Sequence, residues 1–279
     1  MAKTHIFYRG LSFLFLISLP FSLLCGCNKN TAASRDIRDP SNYCEAVSQD
    51  GVRLMERNAT DDPREFPSIR VTLREPVTPD LSKIEGQGTY TASTESGCLV
   101  IERENVPSFP TGHMSLSDEE LFDKAMGQLS ALGLPVDEEN YSMLIRERKG
   151  MTETSDEKDL VEKSIEIYQT YKNRELMGET AGCGASLSYD HQGLVRLTYA
   201  WADVEETGDN PTSFVTDGID DDYIRYVSQI LGEGETVTCY VSYAYVEQDG
   251  RYFQAKVYSE DTSLGNAYCA DLTTGESYM

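Results

Sequence analysis

The chain has 279 residues, of which 47 are acidic and 24 basic, for a formal net charge of −23. That excess repels phosphate backbones and anionic lipid headgroups, so neither nucleic acid nor a charged bilayer surface is an expected partner. With 17 tyrosines and 9 phenylalanines, it holds enough apolar surface for a real core, in one large domain or two small ones.

Lys3 and Arg9 precede an apolar run from Leu11 to Leu24. A bilayer-spanning helix needs about 20 apolar residues, so this shorter run has the proportions of a signal peptide. Leu24-Cys25-Gly26-Cys27 follows it and resembles the processing site of bacterial lipoproteins, with small Gly26 before Cys27. Cys25 is the rival position, but Leu24 is too large to precede a cleavage there. The resemblance implies removal of residues 1–26 and lipidation of Cys27. Acyl chains such as palmitate, at about 0.8 kcal/mol per buried methylene, then hold the chain at the extracytoplasmic face of the cell membrane. The mature part keeps 22 basic and 47 acidic residues, a net charge of −25.

Residues 27–43 are polar, carry Pro40 and lack periodicity, and read as a lipid-anchored flexible tether. An α+β domain is expected over 44–217. A C-terminal helix with antiparallel strands follows over 218–279, continuous with that domain or separate from it. Ile69, Val71 and Leu73 alternate with polar neighbours as a half-buried strand does. Residues 88–94 and 98–106 form a hairpin around Glu95-Ser96-Gly97. Ser117 and Glu120 make a capping box that opens a helix with Leu121, Phe122, Ala125, Met126, Leu129 and Leu132 on one face. Gly133 and Pro135 end it. Residues 137–150 read mostly as loop, with a strand at 142–146.

A second helix is expected from Thr154 to about Met177, on the stripe Leu160, Val161, Ser164, Ile165, Tyr168 and Tyr171. Next come a break at Gly182-Cys183-Gly184 and a hairpin turning at Asp190 to Gly193. A third helix over 220–231 has Ile219, Tyr223, Tyr226, Val227, Ile230 and Leu231 inward. Asp249-Gly250 is a strong hairpin signal, placing Val246 opposite Phe253, Ala244 opposite Ala255 and Ser242 opposite Val257. The expected architecture is therefore α+β: antiparallel sheets packed against three amphipathic helices, in helix-then-meander modules.

No constellation carries catalysis. Cys183 and His191 lack an orienting third group, Ser155-x-x-Lys158 lacks its companion motifs, and no metal or cofactor signature is present. Cys44, Cys98, Cys183, Cys239 and Cys269 are odd in number. A bridge between Cys239 and Cys269 and a set of buried thiols both remain open. The candidate ligand-binding surface is one face of the last hairpin, with Tyr243, Tyr245, Tyr252, Lys256 and Tyr258, whose rings and hydroxyls suit peptide or glycan recognition. A covering layer would make the same face core.

Ile101-Glu102-Arg103-Glu104-Asn105-Val106-Pro107, the Ser-capped acidic helix after it and the later Glu/Lys-rich stretch are similar to lipoproteins of Gram-positive, clostridial-type gut anaerobes. The last helix, its strands and Ala270-Asp271-Leu272-Thr273-Thr274-Gly275-Glu276 resemble a PepSY module, which implies binding or inhibition of peptidases outside the cytoplasm. The expectation is an envelope-anchored binding module for a protein or peptide, with an envelope hydrolase as the alternative.

Overall fold

Alternation, more than helical periodicity, decides this fold. The computed structural model describes residues 36–57, 67–107, 112–152, 155–178, 183–211, 213–260 and 268–278. Cys27 and the signal stretch lie outside them. Fifteen strands and two α-helices occur among the described residues, in the order β1 Tyr43–Gln49, β2 Val52–Arg57, β3 Ile69–Leu73, β4 Tyr90–Glu95, β5 Cys98–Arg103, α1 Asp118–Ala131, β6 Tyr141–Thr152, β7 Ser155–Tyr171, β8 Arg174–Met177, β9 Gly184–Asp190, β10 Gly193–Ala200, β11 Ala202–Glu206, α2 Ile219–Ile230, β12 Val237–Gln248, β13 Arg251–Ser259, β14 Tyr268–Asp271 and β15 Ser277–Tyr278.

Thirteen of these strands form one mixed sheet. Its first half is antiparallel in the order β4-β5-β10-β9-β7-β6, and its second runs β1-β2-β12-β13-β14-β15 with β2 parallel to β12. Short β8 joins them, antiparallel to β7 and parallel to β12. Strands β3 and β11 make a separate two-stranded ribbon. Helix α1 lays Leu121, Ala125 and Leu129 on the first half, against Ile101, Ile165, Leu187 and Leu197. Helix α2 lays Ile219, Tyr223, Ile224 and Val227 on the second, against Val52, Leu54, Val241 and Tyr258.

The α+β expectation with three amphipathic helices is therefore corrected to a mostly β architecture. The stretch expected as a second helix is β7 and β8. From 161 to 169 the buried positions of β7 are Val161, Lys163, Ile165, Ile167 and Gln169, a period of two. Two of those five are polar, and that hid the alternation. Lys163 Nζ, inside the sheet, donates to the Leu116 carbonyl at 3.0 Å and pairs with Asp118 at 2.5 Å, so it ties β7 to the start of α1. Gln169 exchanges two hydrogen bonds of 2.8 Å with the Ala202 backbone and pins the β3–β11 ribbon to the sheet. The loop expected over 137–150 is mostly β6, whose register with β7 runs from Tyr141 opposite Gln169 to Thr152 opposite Ser155.

Local signals hold where both partners sit close in sequence. Ser117 and Glu120 form the full capping box of α1, and Gly133, at φ 72°, follows its C-cap. The β12–β13 hairpin turns through Asp249 and Gly250, both at positive φ, and pairs Val246 with Phe253, Ala244 with Ala255 and Ser242 with Val257. In α2, Tyr226 and Ile230 are exposed and Ile224 is buried, which shifts the expected inner face by part of a turn.

The expected boundaries move as well. Ile37 is buried and its N–H donates to the Met143 carbonyl at 3.0 Å, and a 3₁₀ turn over Pro40–Asn42 is capped by Asp39. The expected tether is thus taken into the folded unit from Asp36. The sheet also crosses the 217/218 boundary, since β12 pairs with both β2 and β8.

Arg103 and Asp190 tie the β5 terminus to the β9–β10 turn with a two-pronged ion pair, the Arg103 side chain being 3% exposed. Burial alone would raise the Asp190 carboxyl, but the Arg103 guanidinium outweighs it and holds the group below the usual range. A depressed carboxylate contributes stability above its unfolded pKa of about 3.9, and that contribution is lost as pH falls through the folded value. Asp190→Asn, which leaves Arg103 without its charge partner, is expected to cost about 2–4 kcal/mol at pH 7. In urea melts the gap from wild type narrows below about pH 4. An equal gap at pH 7 and pH 3 would show that the ion pair is not the cause.

Candidate functional site

The face of the first half-sheet that points away from α1 carries a row of cross-strand neighbours: Val100 beside Thr198, Thr198 beside Ser186 and Ser186 beside Glu166. Two residues along, on the same face, Ala200, Gly184 and Tyr168 lie side by side. A cleft of about 210 Å³ opens here, lined by Cys98, Glu166, Tyr168, Cys183, Ser186 and Thr198 among others. Gly184 is required by close approach, because a Cβ there would lie 2.0 Å from the Ile167 carbonyl oxygen. The glycine lets β9 press against β7 and leaves the floor open.

The cleft wall is set by charge pairing. Arg146 holds Glu166 at 2.9 Å, and the other Glu166 oxygen accepts a hydrogen bond from the Tyr168 phenol. Burial, then the Glu166 carboxylate, pushes the Tyr168 phenol well above its ordinary value, so it stays protonated. Burial also pushes up the Cys98 and Cys183 thiols, and Cys183 Sγ lies 3.5 Å from the Tyr252 hydroxyl. A nucleophilic thiol needs a depressed pKa or an adjacent base, and these thiols have the opposite environment. His191 sits at the other end of β9 from Cys183, about 25 Å away at about 3.3 Å per residue. The cleft offers neutral hydroxyl, phenol and thiol groups around an apolar floor. Its volume is below the roughly 300–1,000 Å³ of small-molecule sites, so its size suits a side chain or two of a peptide.

The hairpin face expected to bind a ligand is largely core. Tyr245 is 1% exposed and its hydroxyl donates to the Pro67 carbonyl at 2.9 Å, beneath the β3–β11 ribbon. Tyr258, also 1% exposed, stacks on Tyr223 of α2 with centroids 4.1 Å apart and donates to Asp220 at 2.6 Å. Lys256 reaches the same Asp220 at 3.0 Å and lies over the Tyr243 ring. Tyr243 is half-buried, with the Arg174 guanidinium 5.0 Å from its ring centroid, and half-buried Tyr252 turns its hydroxyl to Cys183. Tyr245 and Tyr258 are covered, while Tyr243, Tyr252 and Lys256 are half-buried. Each hydroxyl with a buried ring reaches a partner, which is the condition for tyrosine in a core. Asp220, in the first turn of α2, supplies the contacts to Tyr258 and Lys256.

Glu166, Tyr168, Ser186 and Thr198 carry the cleft and escaped the sequence reading. The first two fall in the stretch expected as a helix, where Glu166 and Tyr168 do not share a face. Read as a strand, they do. None of the five cysteines outside the signal region forms a disulfide; Cys44 is half-buried and the other four are buried. Burial pushes the Cys239 and Cys269 thiols up as well. Maleimide at pH 7 should therefore modify Cys44 in the native chain, and Cys98, Cys183, Cys239 and Cys269 only after denaturation, as read by intact mass. Native modification of Cys183 at a rate matching a free thiol would overturn the neutral, enclosed description of the cleft.

No protein-family model matches the chain, and no curated protein matches it. Among solved structures it is similar to an uncharacterized protein from Eubacterium rectale ATCC 33656, with a TM-score of 0.51 and 11% sequence identity, over 85% of this chain and 93% of that one. At that identity the likeness shows a shared fold.

Proposed function

We propose that this chain is a lipid-anchored interaction module of the cell envelope, held at the extracytoplasmic membrane face through Cys27, that binds a protein or peptide partner. The observation that carries the anchoring is Leu24-Cys25-Gly26-Cys27 directly after a short apolar run. The net charge of −25 keeps the folded part in water and off an anionic surface. The binding part is supported by the cleft, whose neutral donors and shielded charge suit hydrogen bonding and shape matching better than covalent chemistry.

Ile37 is ten residue steps from Cys27, so a fully extended chain reaches at most about 36 Å. A partner therefore meets the module within a few nanometres of the membrane. A narrower form of the reading, a PepSY-like peptidase-binding or inhibitory role, is favoured by one feature. Helix α2 is followed by the β12–β15 meander, and its final turn is built on Asp271, whose Oδ1 accepts from Thr273 N–H at 2.6 Å while its carbonyl accepts from Gly275 N–H at 2.8 Å.

Two measurements test the proposal. Metabolic labelling with palmitate should be lost in Cys27→Ser, with the protein moving from the membrane to the soluble fraction; label that survives sinks the anchor. Panning a peptide library on the mature chain should select sequences whose affinity drops at least tenfold in Ser186→Trp, which fills the cleft from the face opposite α1. Selected peptides indifferent to that change would remove the cleft from the binding role.

A further inference from the structure

Resting on the interaction reading, we propose that β4 is the docking edge, and that an extended, basic segment of the partner adds to it as a further antiparallel or parallel strand. The hydrogen-bond pattern of the β4–β5 hairpin sets which groups are available. Glu95 pairs with Cys98 across a two-residue turn, Ser96 and Gly97, both at positive φ. That closing pair exchanges both of its hydrogen bonds, and alternate pairs follow it. Ser93 with Val100 and Thr91 with Glu102 are therefore inward-bonded. Tyr90, Ala92 and Thr94 direct their N–H and C=O groups away from β5. Among the described residues no strand pairs with that side of β4. Thr91 to Glu95 are exposed, and the Tyr90 hydroxyl anchors the strand's start on the Leu194 carbonyl at 3.1 Å.

Free edges are normally guarded by brevity, bulges, charge or prolines. The other ends of the large sheet follow that rule. Strand β15 has two residues, β1 carries a bulge between Glu45 and Val47, and β6 is bridged by Asp36 at Met143 and carries Arg146, Arg148 and Lys149. Strand β4, Tyr-Thr-Ala-Ser-Thr-Glu, has regular register, no proline and no lysine. A regular edge of six residues whose one charge is the terminal Glu95 is the template that strand addition uses, with backbone bonds for affinity and alternate side chains for selectivity.

Charge selects the occupant. Exposed Glu95 and Glu104 border the edge, while Glu102 is paired with Arg196 at 2.8 Å and Arg103 is spent inside on Asp190. On the outer face an incoming strand lies beside Thr91, Ser93 and Glu95, where lysine or arginine is complementary. A second copy of the chain, itself at −25, is opposed by the same field.

The test uses the mature chain and three synthetic eight-residue peptides: alternating lysine and valine, the same with glutamate for lysine, and the lysine peptide N-methylated at alternate residues. The lysine peptide should bind, the glutamate peptide should not, and N-methylation should weaken binding at least tenfold at unchanged charge. Ala92→Pro, which removes an outward donor that β5 does not use, should weaken the lysine peptide similarly. Hydrogen exchange provides a readout on the unaltered chain, with the Tyr90, Ala92 and Thr94 amides fast when free and slowed by the peptide. Equal binding of the methylated peptide with unprotected amides would mean charge attraction alone and would overturn the edge. Dimerisation in sedimentation that Ala92→Pro abolishes would overturn the choice of partner. Library peptides sensitive to Ser186→Trp but not to Ala92→Pro would leave the interaction reading standing and remove this inference.

Discussion

The sheet holds together at a fully buried carboxylate. Glu175 of β8 has no exposed surface, and its Oε1 accepts from the Arg57 guanidinium of β2 and from the Ser142 hydroxyl of β6 at 3.0 Å. Backbone pairing sets the same residue beside Thr170 of β7 and Ala244 of β12. One side chain thus meets elements from both halves of the sheet at β8, the strand that joins them among the described residues. A lone charge there would cost about 3–5 kcal/mol relative to the pair, so β8, β2 and β6 are constrained to arrive together. A four-residue strand has too few ladder bonds to fix that geometry alone.

The remaining polar ties divide the molecule into faces. Lys163 fixes the start of α1 over one side of the first half, and Gln169 fixes the β3–β11 ribbon by way of Ala202. Asp220 fixes α2 over the second half through Tyr258 and Lys256. Each is a polar side chain placed on a buried surface with its hydrogen bonds met, the condition under which burial is tolerated. Once α1, α2 and the ribbon are seated, the cleft around Ser186 and the β4 edge are among the parts of the sheet that the described residues leave uncovered. The surfaces available for contact are therefore a consequence of where the buried polar groups hold the covering elements.

The same polar groups explain how far the sequence could be read. Capping of α1 and the β12–β13 register depend on residues within a few positions of one another, and both were legible. Strand β7 was not, because its buried face mixes Val161, Ile165 and Ile167 with Lys163 and Gln169, whose partners Leu116 and Ala202 are more than thirty residues away. With those two scored as surface, Val161, Ile165 and Tyr168 fall at helical spacing. The hairpin tyrosines show the complementary limit: which residues share a face was legible, and what covers the face was not. Tyr258 and Tyr245 are closed over by Asp220 and Pro67, contacts that no local pattern announces.

The start of the folded unit bears on how an anchored module would work. With Ile37 buried and bonded to Met143, residues 36–42 cannot serve as slack, so the spacer to Cys27 is shorter than composition alone implies. For a flexible chain the typical span grows as the square root of length, about 5–6 Å × √n. Ten residues at that scaling would span roughly 17 Å on average. A short tether raises the effective concentration of membrane-resident partners and excludes those that need a distant reach. An edge strand needs one extended segment rather than a large preformed surface, so such a module can take hold of a partner in a confined layer without docking a second globular face.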